Sequence, residues 1–169
     1  MNKRILSIVF SVVLCVTVLL FLNEVKSFDG YYHSIDRVLA HEKWVQKGAE
    51  EIARIKNGSG YVEVMHLDDY LIFYSFKSKN TLTGKKYATA HVATNKIDYN
   101  AITGDYPERN EWTTFSKIIF NNKDEQDFYW CVIKKSGDTS IESDIMQFKY
   151  SYEGNQYYLL GTFESKNIE

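Results

Sequence analysis

The sequence predicts an α+β protein, with an N-terminal transmembrane or signal helix followed by one amphipathic helix packed on a mostly antiparallel, strand-rich sheet. Three observations support this fold class. An apolar run follows two basic residues at the N-terminus, apolar residues recur at helical spacing in the next segment, and beyond residue 60 they alternate with polar residues. The chain also contains 13 Tyr and only one Pro, a composition that favours strands.

The N-terminal run covers residues 5–22 and is apolar apart from small hydroxyl residues. As a helix rising about 1.5 Å per residue it would span roughly 27 Å, close to the hydrocarbon thickness of a bilayer. Lys3 and Arg4 precede it, so the positive-inside rule predicts a cytoplasmic N-terminus. We therefore expect contact with the membrane through residues 5–22, a signal anchor or signal peptide over 1–27, and a single extracytoplasmic domain over 28–169.

Three fates remain open for this leader. A retained signal anchor is favoured because the run is longer than the roughly 7–15 apolar residues of a signal peptide. Cleavage near Ser27 would instead release a secreted protein, since Val25 and Ser27 are small enough for the positions that flank a cleavage site. A lipoprotein acylated at Cys15 is the third possibility, although bulky Leu14 precedes that cysteine. All three place residues 28–169 outside the cytoplasm.

The charge balance argues against nucleic acid as a partner. The whole chain has 20 Lys and Arg against 22 Asp and Glu, and residues 1–27 hold three of the basic and one of the acidic side chains, which leaves the domain with a net charge of −4. A mildly acidic domain lacks the electrostatic signature of a nucleic-acid surface. Cys131 is its single cysteine, so no disulfide can form within the domain.

One amphipathic helix of about 20 residues is predicted after Ser34. Ser34 can act as the N-cap, and Asp36 suits the positive end of the helix dipole. Glu42 interrupts the apolar stripe, and the segment 57–60, with Gly58, is predicted to end the helix. The apolar residues at helical spacing are Ile35, Val38, Leu39, Val45, Ala49 and Ile52.

Strands are predicted over residues 61–66, 70–76, 87–94, 113–120, 128–134, 146–152 and 156–164. The first two flank Leu67-Asp68-Asp69 and the last two flank Glu153-Gly154-Asn155, so each pair predicts a hairpin. The segment 121–125 supplies another polar turn. Short polar links of this kind indicate antiparallel neighbours, because parallel strands need long crossovers.

The four histidines show no spacing typical of a zinc site, and no phosphate-binding or nucleophile motif accompanies them. We therefore expect neither a metal nor another cofactor. The histidines concerned are His33, His41, His66 and His91.

His66, Asp68 and Asp69 are the only candidates for acid–base catalysis. Turn chemistry explains adjacent aspartates between two strands better, because Asp side chains bond nearby backbone N–H groups. A small hydrolase built on these three residues stays an alternative.

The longest polar connection, residues 95–111, is the predicted contact surface, since binding residues concentrate in long loops. Asp98 and Asn100 match the opening of a calcium loop. The match then fails, because Ile102 replaces an acidic ligand and Arg109 replaces the bidentate Glu.

The single cysteine of the domain and three pairs of adjacent aromatic residues are explained better by packing in the core than by a functional role. Cys131 lies between aromatic and aliphatic neighbours, which indicates a buried hydrophobic residue and not a nucleophile. Three aromatic pairs, Tyr31-Tyr32, Tyr129-Trp130 and Tyr157-Tyr158, could place rings outward as platforms for sugars. The last two pairs lie in predicted strands, where adjacent residues face opposite sides, so each could place one ring outward.

The Lys-Arg start, the single apolar run, one helix and then strands that include the segment VEVMHLDDYLIFYSF resemble small exported or membrane-anchored proteins of Gram-positive bacteria. The resemblance covers residues 1–76 and implies neither an activity nor site residues. From the residues themselves we expect a non-enzymatic extracytoplasmic module that acts through protein or envelope contacts, with an envelope protein or a polysaccharide as its partner. The alternatives are a domain that binds cell-wall polysaccharide through exposed Tyr and Trp, and the small hydrolase.

Overall fold

A computed structural model describes residues 3–24, 30–57, 60–82, 84–102, 104, 107–108, 111–120, 124–134 and 144–165. The helices are α1 (Lys3–Glu24), α2 (Ile35–Ala40) and α3 (Lys43–Gln46). The strands are β1 (Glu50–Asn57), β2 (Gly60–Leu67), β3 (Tyr70–Thr81), β4 (Gly84–Lys96), β5 (Thr113–Phe120), β6 (Asp124–Lys134), β7 (Met146–Tyr152) and β8 (Asn155–Ser165).

The predicted N-terminal helix over residues 5–22 is present as α1. Within the described chain, no helix combines the length and the apolar character that crossing a membrane requires.

The prediction of a single long helix after Ser34 is wrong. The N-cap is as expected, because the Ser34 hydroxyl oxygen accepts a hydrogen bond from the Arg37 backbone N–H. Two short helices follow, and Gly48 adopts a φ of +96°, a left-handed conformation that ends helical structure. Beyond it the chain becomes strand β1, in which buried Ala53 and Ile55 alternate with exposed neighbours. Gly58, which was to end the long helix, lies outside the described residues.

The strands form two four-stranded antiparallel sheets, and the prediction of one sheet is therefore corrected. The first sheet has the order β1-β2-β3-β4 and the second β5-β6-β8-β7. Strands β5 and β7 have the predicted bounds, whereas β3, β4 and β6 are longer than predicted. Asp124 and Glu125 of the predicted polar turn belong to β6, and residues 121–123 lie outside the described part.

The first sheet is the middle of three layers. Its inner face, with Val62, Val64 and Phe73, packs on Phe128 and Leu159 of the second sheet. Its other face is covered by α2, through a second cluster of buried side chains: Tyr32, Ile35, Val38, Leu39, Ala49, Met65, Ile72, Tyr74 and Phe76. Because both faces of β2 and β3 are covered, their buried residues run consecutively and do not alternate.

One carboxylate is buried in the layer between α2 and the first sheet. The Glu63 side chain is 0% exposed and accepts hydrogen bonds from Arg54 Nε and Nη2 at 2.6 and 3.3 Å. Arg54 also contacts Asp36 of α2 at 2.8 Å and Glu51 at 3.2 Å. One guanidinium therefore serves three carboxyl groups and ties α2 to the sheet. Burial raises the pKa of Glu63 to about 7, against the opposing effect of the Arg54 hydrogen bond.

Candidate functional site

Two tight turns meet at one end of the sandwich. The β2–β3 hairpin closes at the pair Leu67↔Tyr70, and the β7–β8 hairpin closes at Tyr152↔Asn155. Both predicted hairpins are therefore confirmed, each with a two-residue turn. Asp68 and Glu153 take positive φ values of 52° and 47°, as the first residues of such turns often do. This arrangement brings the ends of both sheets to the same surface.

The start of the predicted contact loop is fixed to the first of these turns. The Ile97 backbone N–H donates to the Asp69 carbonyl oxygen at 2.7 Å, and Lys96 Nζ lies 3.1 Å from the Asp69 carboxylate. The Asp98 carboxylate then accepts a hydrogen bond from the Asn100 backbone N–H at 3.1 Å. Asp98 therefore closes a local turn, which accounts for the Asp-x-Asn pattern without a calcium ion.

Four tyrosines and His66 converge where the loop crosses the sandwich end. The Tyr99 ring stacks on Tyr152 with centroids 4.1 Å apart, and its edge meets Tyr157 at 4.7 Å. The Tyr99 and Tyr150 hydroxyls lie 3.1 Å apart. The centroid of the His66 ring is 5.4 Å from that of Tyr150 and 5.3 Å from that of Tyr152. Residues distant in sequence thus form one aromatic cluster that joins both sheets and the loop.

Burial governs the ionisation of this cluster. It raises the pKa of Tyr99 to about 12 and raises that of Tyr150 further, so both phenols are protonated at neutral pH. It lowers the pKa of His66, so the imidazole is neutral at pH 7. His66 Nε2 is itself buried and has no hydrogen-bond partner in the described structure.

Two clefts flank the loop and share Lys96, Ile97 and Asp98 as a common wall. The Tyr152 cleft, of about 550 Å³, also has Asp69, Tyr99, Asn100, Tyr152 and Glu153 in its lining. The Trp130 cleft, of about 420 Å³, reaches under the loop to Pro107, Glu111, Thr113, Trp130 and Cys131. Both clefts lie on the loop that the sequence indicated as a contact surface.

The Trp130 cleft contains one unpaired polar group. The Trp130 indole N–H is buried and has no acceptor among the described atoms, although Trp112 Nε1–H donates to the Pro107 carbonyl oxygen at 3.2 Å. Asp105 and Arg109, in the second half of the loop, lie outside the described residues.

The three predicted catalytic candidates lie next to one another around the β2–β3 turn. His66 is the penultimate residue of β2, Asp68 is exposed in the turn, and the Asp69 carboxylate is paired with Lys96. A general base must reach the proton that it takes, and the buried His66 Nε2 faces rings. A hydrolase at these residues stays an untested alternative.

Cys131 is buried, as its neighbours in sequence indicated, with 8% of its surface exposed. Burial raises the pKa of its thiol to about 12, so the reactive thiolate is scarce at neutral pH. The thiol therefore behaves as a small packed group on the outer side of the second sheet, with Trp112, Ile133 and Leu160.

Each predicted aromatic pair places one ring inside. Tyr32, Trp130 and Tyr157 are buried, and their neighbours Tyr31, Tyr129 and Tyr158 are half-buried. The half-buried Tyr129 and Tyr158 pack against the Cys131 cluster. Tyr99 and Tyr152, which line the Tyr152 cleft, were not predicted as a site. The sequence signal that pointed to this region was the alternation of polar and apolar residues that ends at Tyr152.

The four histidines lie on separate elements, and no metal-binding group of His, Cys, Asp and Glu occurs in the part of the chain that the structure describes. The His41 ring packs at a tilt against Tyr32, with centroids 4.8 Å apart, and the His91 ring stacks on Phe115.

Comparison with family models, with curated proteins and with solved structures finds no match. The site must therefore be interpreted from its own geometry.

Proposed function

We propose that this chain is a non-enzymatic extracytoplasmic module, tethered through residues 5–22 or secreted after cleavage near Ser27, that binds an envelope protein at the Tyr152 cleft. The observation that carries the proposal is the charge around the stacked Tyr99 and Tyr152 rings. The described lining has three carboxylates, from Asp69, Asp98 and Glu153, and one cation, Lys96, which is paired with Asp69.

This lining suits a Lys or Arg side chain from a partner. Tyr99 stacks on the half-exposed Tyr152 ring, and the exposed part of that ring would contact a cation, an interaction of about 0.5–1 kcal/mol at exposed sites. Each exposed carboxylate adds about 0.2–1 kcal/mol to such contacts. The partner would therefore be held by several modest contacts, as in transient protein interfaces.

A polysaccharide is the second candidate ligand. Its support is the same half-exposed Tyr152 ring beside Asn100 and the exposed carboxylates of Asp98 and Glu153. Sugars stack on aromatic rings, and their hydroxyl groups donate hydrogen bonds to carboxylates. Export, for both candidates, is supported by Lys3 and Arg4 before an apolar run.

Site-specific photocrosslinking in intact cells tests the proposal. A benzophenone amino acid at Asn100, which is exposed on the cleft, should give a protein adduct, whereas the same residue at exposed Asn80, on β3 beyond its pairing with β2, should not. Tyr152→Ala should abolish the adduct and Tyr152→Phe should retain it, because Phe keeps the ring.

The outcomes separate the two ligands. If a wall-degrading glycosidase shortens the adduct, the ligand of the cleft is a polysaccharide and not a protein. Equal adducts from Asn100 and Asn80, or none from Asn100, would overturn the cleft as the binding site.

A further inference from the structure

The hairpin formed by β3 and β4 extends beyond the sandwich at the end opposite the two clefts. Strand β3 pairs with β2 only as far as Ser75, whereas its pairing with β4 continues from Phe76↔Thr89 to Thr81↔Gly84. Residues 77–86 therefore form a two-stranded extension of the first sheet, named here the lysine hairpin, between buried Phe76 and Tyr87, which also pairs with Tyr32. At the clefts, by contrast, the same two strands pair at Tyr70↔Lys96.

The lysine hairpin concentrates positive charge in an acidic domain. Residues 70–95 contain Lys77, Lys79, Lys85 and Lys86 and neither Asp nor Glu. Lys79 and Lys86 are direct partners across the two strands, and like charges at opposed positions destabilise a strand pair. Several ammonium groups therefore lie close together at this end of the domain, and a negatively charged surface would attract them.

The tip and flank of the hairpin are apolar and aromatic. Leu82, at the turn, is fully exposed, with a relative exposure of 109%. The ammonium groups of Lys77 and Lys79 lie 5.6 and 4.3 Å from the ring centroid of Tyr31. Lysines beside an exposed leucine and a half-buried tyrosine are a combination that suits the boundary between lipid headgroups and acyl chains.

The chain enters the domain beside this hairpin. The Tyr32 and Tyr87 backbones exchange two hydrogen bonds of 2.7 Å, so the segment before Tyr32 reaches the domain at the hairpin and not at the clefts. Glu24 ends α1 and Gly30 resumes the described chain, and six extended residues span at most about 20 Å. A membrane that holds the leader would thus lie within reach of the hairpin.

We propose that the lysine hairpin docks on an anionic lipid surface, with its lysines against the headgroups and Leu82 inserted among the acyl chains. A lipid surface offers both negative potential and an apolar layer, whereas a soluble polyanion offers only the first. Docking of this end would turn the Tyr152 cleft and the Trp130 cleft away from the membrane. The inference does not depend on what the clefts bind.

The test uses the full chain and vesicles of phosphatidylcholine, with or without phosphatidylglycerol. A Leu82→Cys variant in a Cys15→Ser background carries an environment-sensitive fluorophore at the tip, and lipids with a quencher on the acyl chain report its depth. Flotation with pure phosphatidylcholine vesicles measures leader insertion separately, so a failure of the tether and a failure of the hairpin are distinguishable.

We expect quenching at the tip only when phosphatidylglycerol is present. Lys79→Gln with Lys86→Gln should lower the equilibrium constant for docking roughly thirty-fold, because each lysine near an anionic surface contributes about a factor of five. The matched pair Lys134→Gln with Lys149→Gln, exposed residues of the second sheet, should change it little. The proposal would be overturned by equal quenching without anionic lipid or by no quenching at all. It would also be overturned by equal effects of the two double variants, or by displacement of the protein from the vesicles by polyphosphate at constant ionic strength.

Discussion

Gly161 of β8 leaves space for an aromatic ring of the neighbouring strand, and the effect of filling that space can be worked out. A Cβ atom at Gly161 would clash with Cζ of Phe128 and lie 2.7 Å from its Cε2. The Phe128 ring is fully buried and packs on Phe163 and Phe73, at centroid distances of 5.0 and 6.3 Å. It cannot withdraw without displacing those rings.

Overpacking a core in this way costs about 1–3 kcal/mol, and contacts this short with a confined ring place Gly161→Ala near 3. Replacing glycine also restricts the unfolded chain, which returns about 0.4–1 kcal/mol. We therefore expect Gly161→Ala to lower the free energy of unfolding by about 2 kcal/mol. Phe128→Leu removes the ring that obstructs the methyl group and leaves a shorter side chain. In that background Gly161→Ala should change the free energy of unfolding very little.

Urea unfolding of residues 28–169 as wild type, two single variants and the double variant measures this coupling. Gly154→Ala is the control, because its φ of +76° gives a strain of about 1–2 kcal/mol while its Cβ meets no atom within 4 Å. That cost should be the same with Phe128 or Leu at position 128. A Gly161→Ala cost that persists beside Phe128→Leu would show that the ring is not the obstacle.

Two further expectations concern buried ionisable groups. The pKa of Glu63 in the folded protein is about 7, above its ordinary value, so its contribution to stability, on the order of 3 kcal/mol, is present at low pH and is lost as the pH rises through 7. Glu63→Gln should flatten this pH dependence of the free energy of unfolding, measured by urea unfolding between pH 5 and pH 8. An unchanged slope would contradict the assignment. The Cys131 thiol, with its raised pKa, should react with a maleimide at least about a hundredfold more slowly in the folded protein than in urea, and rapid labelling of the folded form would show that it is accessible.

The sequence predicted best those strands that have one wet face. Met146 to Tyr152 alternate in polarity, and the two-residue turn at Glu153 and Gly154 has the residues that its backbone needs, so β7 and β8 were found together. Strand β1 was missed because the helical spacing of Val45, Ala49 and Ile52 continues into it. The left-handed conformation of Gly48, which ends the helical segment, is not visible in a spacing pattern.

The candidate site was predictable only in part. The turn at Asp68 and the loop that begins at Asn95 were identified from local chemistry, and the structure joins them through the bond from Ile97 to Asp69. The tyrosine cluster could not be foreseen, because Tyr99 meets Tyr150 across a separation of 51 residues. Likewise, the division of the strands into two sheets depends on the connection between β4 and β5, which carries no pairing signal of its own.

The side of the membrane on which residues 28–169 lie decides whether the Tyr152 cleft can meet an envelope partner at all. A reporter enzyme that is active only outside the cytoplasm, fused after Glu169, measures this directly. We expect the fusion to be active, and replacement of Lys3 and Arg4 by Glu to weaken that activity, because the charge difference across the apolar run is small. Activity of a reporter that works only in the cytoplasm, with none from the first, would contradict the extracytoplasmic placement of the domain.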